Sequence, residues 1–179
     1  MKTEWTIRRL QKEDFEEVAE LCQLVLEDTF RKEGIEEAVY DLMEELNTKK
    51  KYLAMDIDTE GKDRYFLLAL NEGKIIGTME FGRVSPLIVR LTEGVLSDLP
   101  ELGTAFIHPK YQKKGAASFL LKEMEREMKR RGIREYCLDS GYQRAQKIWR
   151  RKFGVPAYTF KNYWGEHAPH MIWRVTLKG

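Results

Sequence analysis

Residues 112–117 read Gln112-Lys113-Lys114-Gly115-Ala116-Ala117 and lie between a strand-like run and a strongly amphipathic one. A strand that feeds a tight glycine-containing loop and then a helix leaves the loop's N–H groups, and those of the first helical turn, without intrahelical partners. They point one way and carry the positive end of the helix dipole, so they form an anion site suited to a pyrophosphate. Gly115 lets the backbone approach phosphate oxygens. Ala116 and Ala117 keep the helix start open, and Lys113 and Lys114 add positive charge at the mouth. The string lacks the GK[ST] of a Walker loop and has one glycine of a dinucleotide GxGxxG. A plain strand–loop–helix joint is the alternative reading of the same residues.

The elements that must position this loop follow from hydrophobic period. Residues 6–10 read as a strand. Residues 14–25 read as a helix with Phe15, Val18, Ala19, Cys22 and Val25 on one face. Ile35, Ala38, Val39, Leu42, Met43 and Leu46 predict a second helix over about 33–48, with Lys49, Lys50 and Lys51 just past its end, where positive charge suits the dipole. Residues 64–70 and 75–81 form a hairpin across Asn71-Glu72-Gly73-Lys74. Residues 83–100 have no clean period. A strand over 101–107 stops at His108-Pro109, because Pro109 lacks an amide donor. The helix after the loop turns Ala117, Leu120, Leu121, Met124 and Met128 inward and stops at Gly132. A strand over 136–139, a helix over 143–152 with Ala145, Ile148 and Trp149 on one face, and strands over 158–164 and 171–177 complete the chain. The strand–helix–strand unit from 107 to 136 should be a parallel, right-handed crossover. The class is α/β or α+β with a mixed sheet.

Composition sets the bounds. A chain of 179 residues is one domain, residues 1–179. With 42% hydrophobic and 34% charged residues it is neither disordered nor low in complexity. The longest apolar run, 65–70, falls far below the ~18 residues needed to cross a bilayer. Lys2, Glu4, Arg8 and Arg9 stand where a signal peptide needs an apolar stretch, so a cytoplasmic protein without membrane contact is expected. Cys22 and Cys137 have no CxxC spacing, so neither a disulfide framework nor a zinc site is signalled. His167 and His170 share a Pro-containing loop without a third ligand, so no metal is expected. Net charge is +2, but residues 1–108 hold an excess of nine acidic residues and residues 109–152 an excess of nine basic ones. The basic segment suits a polyanion and the acidic half a cationic partner. The basic residues flank the loop rather than alternating with exposed aromatics, which argues against nucleic acid.

Residues 112–117 resemble the Gln/Arg-x-x-Gly-x-Gly/Ala signature of the GCN5-related N-acetyltransferase (GNAT) family. The motif follows a strand ending Ile107-His108-Pro109 and precedes an amphipathic helix, as in that family. The likeness covers most of the chain. Thr6-Ile-Arg-Arg-Leu followed by Asp14, two early helices, the hairpin, Leu138-Asp-Ser, residues 143–154 and a last strand fall in the family's order. The resemblance implies a mixed, mostly antiparallel central sheet with splayed parallel strands 4 and 5 and about four flanking helices. It implies acetyl-coenzyme A as cofactor. Gln112, Lys113, Lys114, Gly115, Ala116 and Ala117 would hold its pyrophosphate, and the backbone of Phe106 and Ile107, beside a bulge, the pantetheine arm. It implies acetyl transfer to a primary amine of a small molecule or a protein. The alternative is a non-catalytic acyl-coenzyme A-binding module or sensor. A homodimer is left open.

The chemistry so implied has fixed requirements. A free alkyl ammonium has a pKa near ~10.4, so freeing the amine at pH 7 costs about 4–5 kcal/mol. A carboxylate, directly or through water, can take that proton, and the thioester oxygen needs a backbone N–H donor. Glu101 stands six residues before Ile107 and eleven before Gln112, the spacing of the catalytic glutamate in the histone-type branch of the family. A salt-bridged edge glutamate is its alternative reading, and Glu80 is a second candidate base. Many members carry a Tyr four residues after an Ala in the helix following the fifth strand. Here Ala145 plus four is Trp149, which cannot give a proton to a thiolate. Tyr142 lies three residues before that Ala, where an Asn is common, and is the candidate acid. Tyr158, Tyr163 and water are alternatives. Trp149 reads as a core or pantetheine-packing residue and Cys137 as a small core residue. Asp139 and Ser140 read as caps of the next helix, with substrate contact as the alternative. The late aromatics Tyr158, Phe160, Tyr163, Trp164 and Trp173 report strand faces or an acceptor wall.

Overall fold

The computed structural model describes residues 4–179. In chain order it contains β1 (Trp5–Arg9), α1 (Phe15–Lys32), α2 (Val39–Thr59), β2 (Arg64–Asn71), β3 (Lys74–Arg83), α3 (Pro86–Leu91), β4 (Pro100–Ile107), α4 (Ala116–Arg130), β5 (Glu135–Ser140), α5 (Gln143–Phe153), β6 (Tyr158–Phe160) and β7 (His170–Thr176). Turns of 3-10 helix cover Lys12–Asp14 and Pro109–Tyr111. The seven strands follow the order β1-β2-β3-β4-β5-β7-β6. β1–β2, β5–β7 and β6–β7 are antiparallel, and β4 meets β5 in parallel with Glu101 opposite Cys137. This is the mixed, mostly antiparallel sheet with parallel strands 4 and 5 that the resemblance implied. Among the described residues no helix is long and apolar enough to cross a membrane.

The contacts group the chain into two compact units. The first comprises Met1–Phe81 and Thr104–Glu127. In it α1 buries Val18, Leu21, Cys22, Val25 and Phe30, β2 buries Phe66 and Leu68, and α4 buries Leu120 and Met124. Its termini of structure are tied by charge. The Asp14 carboxylate accepts from Arg8 at 2.7 Å and 3.0 Å and from the Gln11 N–H at 2.8 Å. Asp56 of α2 accepts from Arg9 at 2.7 Å and 2.8 Å. The hairpin turn places Glu72 at φ 51 and Gly73 at φ 79, both left-handed, as a two-residue turn matching strand twist requires.

The second unit comprises Gly82–Gly103 and Met128–Gly179. On one sheet face Cys137 and Ile172 pack with Val84, Ile88 and Leu96. Elsewhere in this unit Trp149 stacks on Phe153 at 5.7 Å, Tyr136 meets Phe153 edge-on, and the Trp173 indole donates to the Gly154 carbonyl at 3.0 Å.

Four elements differ from expectation. The second helix starts later and runs to Thr59, so Lys49, Lys50 and Lys51 lie inside it. Lysine is a good helix former, and the chain stops only where Glu60 and Gly61 turn left-handed, φ 52 and 80. Residues 83–100 contain α3, started by Ser85, whose hydroxyl accepts the Ile88 N–H, and by Pro86, which brings the described residues to five α-helices where about four were expected. In α5 the buried residues are Gln146 and Trp149, while Ile148 is exposed. The late strand ends at Phe160 rather than 164.

Candidate functional site

In the first unit, β4 ends at Ile107 and His108 donates its N–H to the Ile76 carbonyl at 2.8 Å. The His108 ring accepts the Lys110 N–H at 3.1 Å, which shapes the turn. Burial, reinforced by Lys74 and Lys110, holds the His108 imidazole below its ordinary pKa. Gln112 folds its side chain back and donates to the Ile107 carbonyl at 3.0 Å. Lys113 (φ 61) and Gly115 (φ 92) are both left-handed, so the loop turns twice before α4 begins. A Cβ built on Gly115 meets nothing within 4 Å. The glycine is therefore required by backbone conformation, and the space in front of it is open. Lys113, Lys114 and Gly115 are exposed while Ala116 is buried. A helix start behind a left-handed glycine, two exposed lysines and open space in front of Gly115 fit a pyrophosphate.

Immediately upstream, Gly77 of β3 admits β4. A Cβ there would lie 2.6 Å from Ile107 Cδ1 and 3.2 Å from the Phe106 carbonyl oxygen. Lys49 sits over the Phe106 ring at 5.6 Å. Thr104 adopts φ 44, a left-handed conformation that is an outlier for a β-branched residue. It is held there from two sides. The Thr104 hydroxyl donates to Glu80 Oε2 at 2.8 Å, and Thr78 donates to the Thr104 carbonyl at 2.7 Å. Glu80 Oε1 in turn takes Arg64 at 3.0 Å, and the Arg64 guanidinium lies 3.7 Å over the Tyr52 ring. Both Glu80 and Arg64 are buried. Glu80, the second candidate base, is thus a structural anchor of the kink in β4. Arg64, Thr78 and Thr104 carried no signal in the sequence, because the partners lie 16 to 26 residues apart.

Glu101 and Tyr142 lie in the second unit. Glu101 is 8% exposed, and its Oε1 accepts the N–H of Ser85 at 3.2 Å. Tyr142 stands half-buried at the start of α5 and donates its N–H to the Ser140 hydroxyl at 3.0 Å. Neither Asp139 nor Ser140 caps α5, whose start has no side-chain cap. Tyr158 is packed with Phe160, and the Tyr163 hydroxyl accepts from Arg90 at 2.8 Å. Trp149 is buried against Phe153. Cys137 is fully buried, and burial, with the Glu101 and Asp139 charges, pushes its thiol up to about 12. His167 is exposed beside Glu166, whereas His170 is buried between Trp164 and Asp139. The two histidines therefore do not converge.

No curated protein matches the chain. Solved structures do, over nearly its whole length. A PaiA N-acetyltransferase from Thermoplasma acidophilum, in complex with coenzyme A, is 21% identical, with 97% of this chain and 99% of that one covered at a TM-score of 0.69. The yncA protein of Salmonella typhimurium, with its cofactor acetyl-CoA, is 16% identical over 98% and 95%, TM-score 0.68. A ribosomal-protein-alanine N-acetyltransferase from Brucella melitensis is 18% identical over 96% and 99%, TM-score 0.68. At these identities the likeness is one of fold. The sequence model of the Acetyltransferase (GNAT) family matches residues 27–155, well over half of the chain. The protein therefore belongs to the acetyltransferase (GNAT) family.

Proposed function

We propose that the protein is an acetyl-coenzyme A-dependent N-acetyltransferase that moves the acetyl group to a primary amine of a small molecule or a peptide. The observation that carries this reading is the loop of residues 112–117, left-handed at Lys113 and Gly115 and open in front of Gly115, in a chain of this family. Lys113, Lys114 and the N–H groups of Gly115, Ala116 and Ala117 hold the pyrophosphate. The Gln112 side chain closes the loop on Ile107. The backbone of Phe106 and Ile107 lines the pantetheine arm.

Glu101 takes the proton of the acceptor ammonium, directly or through a water. Acetyl-coenzyme A, when bound, would supply the thioester carbonyl for the freed amine, the N–C bond forming as the C–S bond breaks, and Tyr142 or a water would supply the proton that the sulfur takes up. Ser85 N–H fixes the Glu101 carboxylate, so its proton-accepting oxygen is presented without reorganisation.

Isothermal titration with acetyl-coenzyme A, repeated on Gly115→Asp, tests the cofactor site. The wild type should bind in the micromolar range and the variant should not, because the added side chain fills the open space with a negative charge. Absence of binding by the wild type would overturn the reading. Binding without transfer to any amine would favour the non-catalytic sensor instead.

A further inference from the structure

We infer that Asp139 is a specificity-determining residue that takes a second cationic group of the acceptor, and that His170 is the positioning residue that sets its carboxylate. The inference rests on the amine-transfer reading above. It starts from His170, which is 3% exposed. Its Nδ1 accepts the indole N–H of Trp164 at 3.0 Å, and its Nε2 lies 2.8 Å from Asp139 Oδ2. An indole nitrogen can only donate. His170 Nδ1 must therefore present its lone pair, and the ring proton sits on Nε2, aimed at Asp139. Both ring nitrogens of His170 are thus committed to neighbours.

The arrangement is locked from both elements. A Cβ on Gly141 would lie 2.6 Å from Trp164 Nε1, so glycine is needed for the indole to reach the ring. Gln146 donates to the carbonyls of Ser140 and Pro169, at 2.9 Å each, and joins the two segments. Tyr163 meets Trp164 edge-on at 4.7 Å and lies 5.8 Å from His170, and its hydroxyl takes Arg90.

What this positions is a carboxylate on the same sheet face as the proposed base. Alternate residues of a strand share a face, and Glu101 stands opposite Cys137. Both Glu101 and Asp139 act on the Cys137 thiol through their charge. Two residues along a strand span about 6.5 Å. Asp139 keeps about a quarter of its side chain exposed, and Trp164 is 57% exposed although its N–H is committed. One strand over and two residues along from Glu101, Asp139 lies roughly 8 Å away from backbone to backbone, and its carboxylate selects an acceptor with two amines on a short alkyl chain. One amine reacts at Glu101 and the other remains an ammonium at Asp139.

The test is steady-state acetyl transfer to 1,4-diaminobutane and to butylamine, by wild type, Asp139→Asn and Trp164→Phe, with acetyl-coenzyme A affinity measured alongside. The wild type should favour the diamine at least tenfold in kcat/KM, mainly through KM. Asp139→Asn should abolish that preference while acetyl-coenzyme A affinity and butylamine turnover stay within twofold. Trp164→Phe removes the N–H that holds the His170 ring, so its diamine KM should rise and its diamine-to-monoamine ratio fall, while kcat and butylamine turnover stay within twofold. Transfer without diamine preference, a preference that survives Asp139→Asn, or a Trp164→Phe ratio that tracks the wild type would each overturn the inference. Failure of the underlying reading looks different: acetyl-coenzyme A binds and neither amine is acetylated, which overturns both.

Discussion

Glu80 and Glu101 are the same residue type on adjacent strands, yet their surroundings assign them opposite tasks. Glu80 is fully buried, with one oxygen on Arg64 and the other on Thr104. Removing one member of a buried ion pair leaves the other charge uncompensated, a loss of about 3–5 kcal/mol. Glu80→Ala should therefore lower the urea midpoint sharply. Glu101→Gln should keep the midpoint within about 1 kcal/mol of wild type, since the amide keeps an oxygen that can accept the Ser85 N–H. Its kcat should fall by about 10²–10⁴, the usual share of general-base catalysis, with acetyl-coenzyme A affinity unchanged. Spacing singled out Glu101, because the strand and loop that follow it are contiguous in sequence. It could not separate Glu80 from a base, because Arg64 and Thr104 join it only through the fold.

Among elements, the entry into α1 offers a measurable pH dependence. The hydrogen bonds from Arg8 hold the Asp14 carboxyl below its ordinary 3.8. A depressed folded-state value means that the ionised form stabilises the fold. The contribution is complete above the ordinary value and disappears as pH falls through the depressed one. Asp14→Asn should cost about 1.5 kcal/mol at pH 6, at the low end for a charged hydrogen bond because Arg8 is partly exposed. The difference between the two proteins should vanish in acid below the native value, read as urea midpoints against pH. The hairpin and the β4–α4 joint were legible because turn residues and period agree there. α2 was misplaced because three lysines look like an end and behave as helix. α3 is six residues long, too short for a period, although Ser85-Pro86 is itself a start signal. The His170 pairing spans 31 residues, and no local pattern announces it.

On the scale of the molecule, the order of strands and helices and the mixed sheet could be read from the chain, because each element carries its own period. The surroundings of Asp139 could not, since they join the end of β5 to residues just before and at the start of β7. The uneven charge has a consequence for binding. Lys113 and Lys114 are exposed, so their attraction to phosphate is screened by salt. Acetyl-coenzyme A affinity should fall several-fold between 0.05 and 0.5 M salt, and Lys113→Gln with Lys114→Gln should flatten that slope, both by titration calorimetry.

Burial holds both thiols of the protein silent. Cys22 and Cys137 are fully enclosed, and their pKa values are pushed up to about 12, chiefly by desolvation. A colorimetric disulfide reagent added to the native protein at pH 8 should therefore register only coenzyme A released by turnover. Added in denaturant, it should register two equivalents per chain. One reagent would then count product in the folded state and chains in the unfolded one, giving every variant its own active-fraction calibration in a single cuvette.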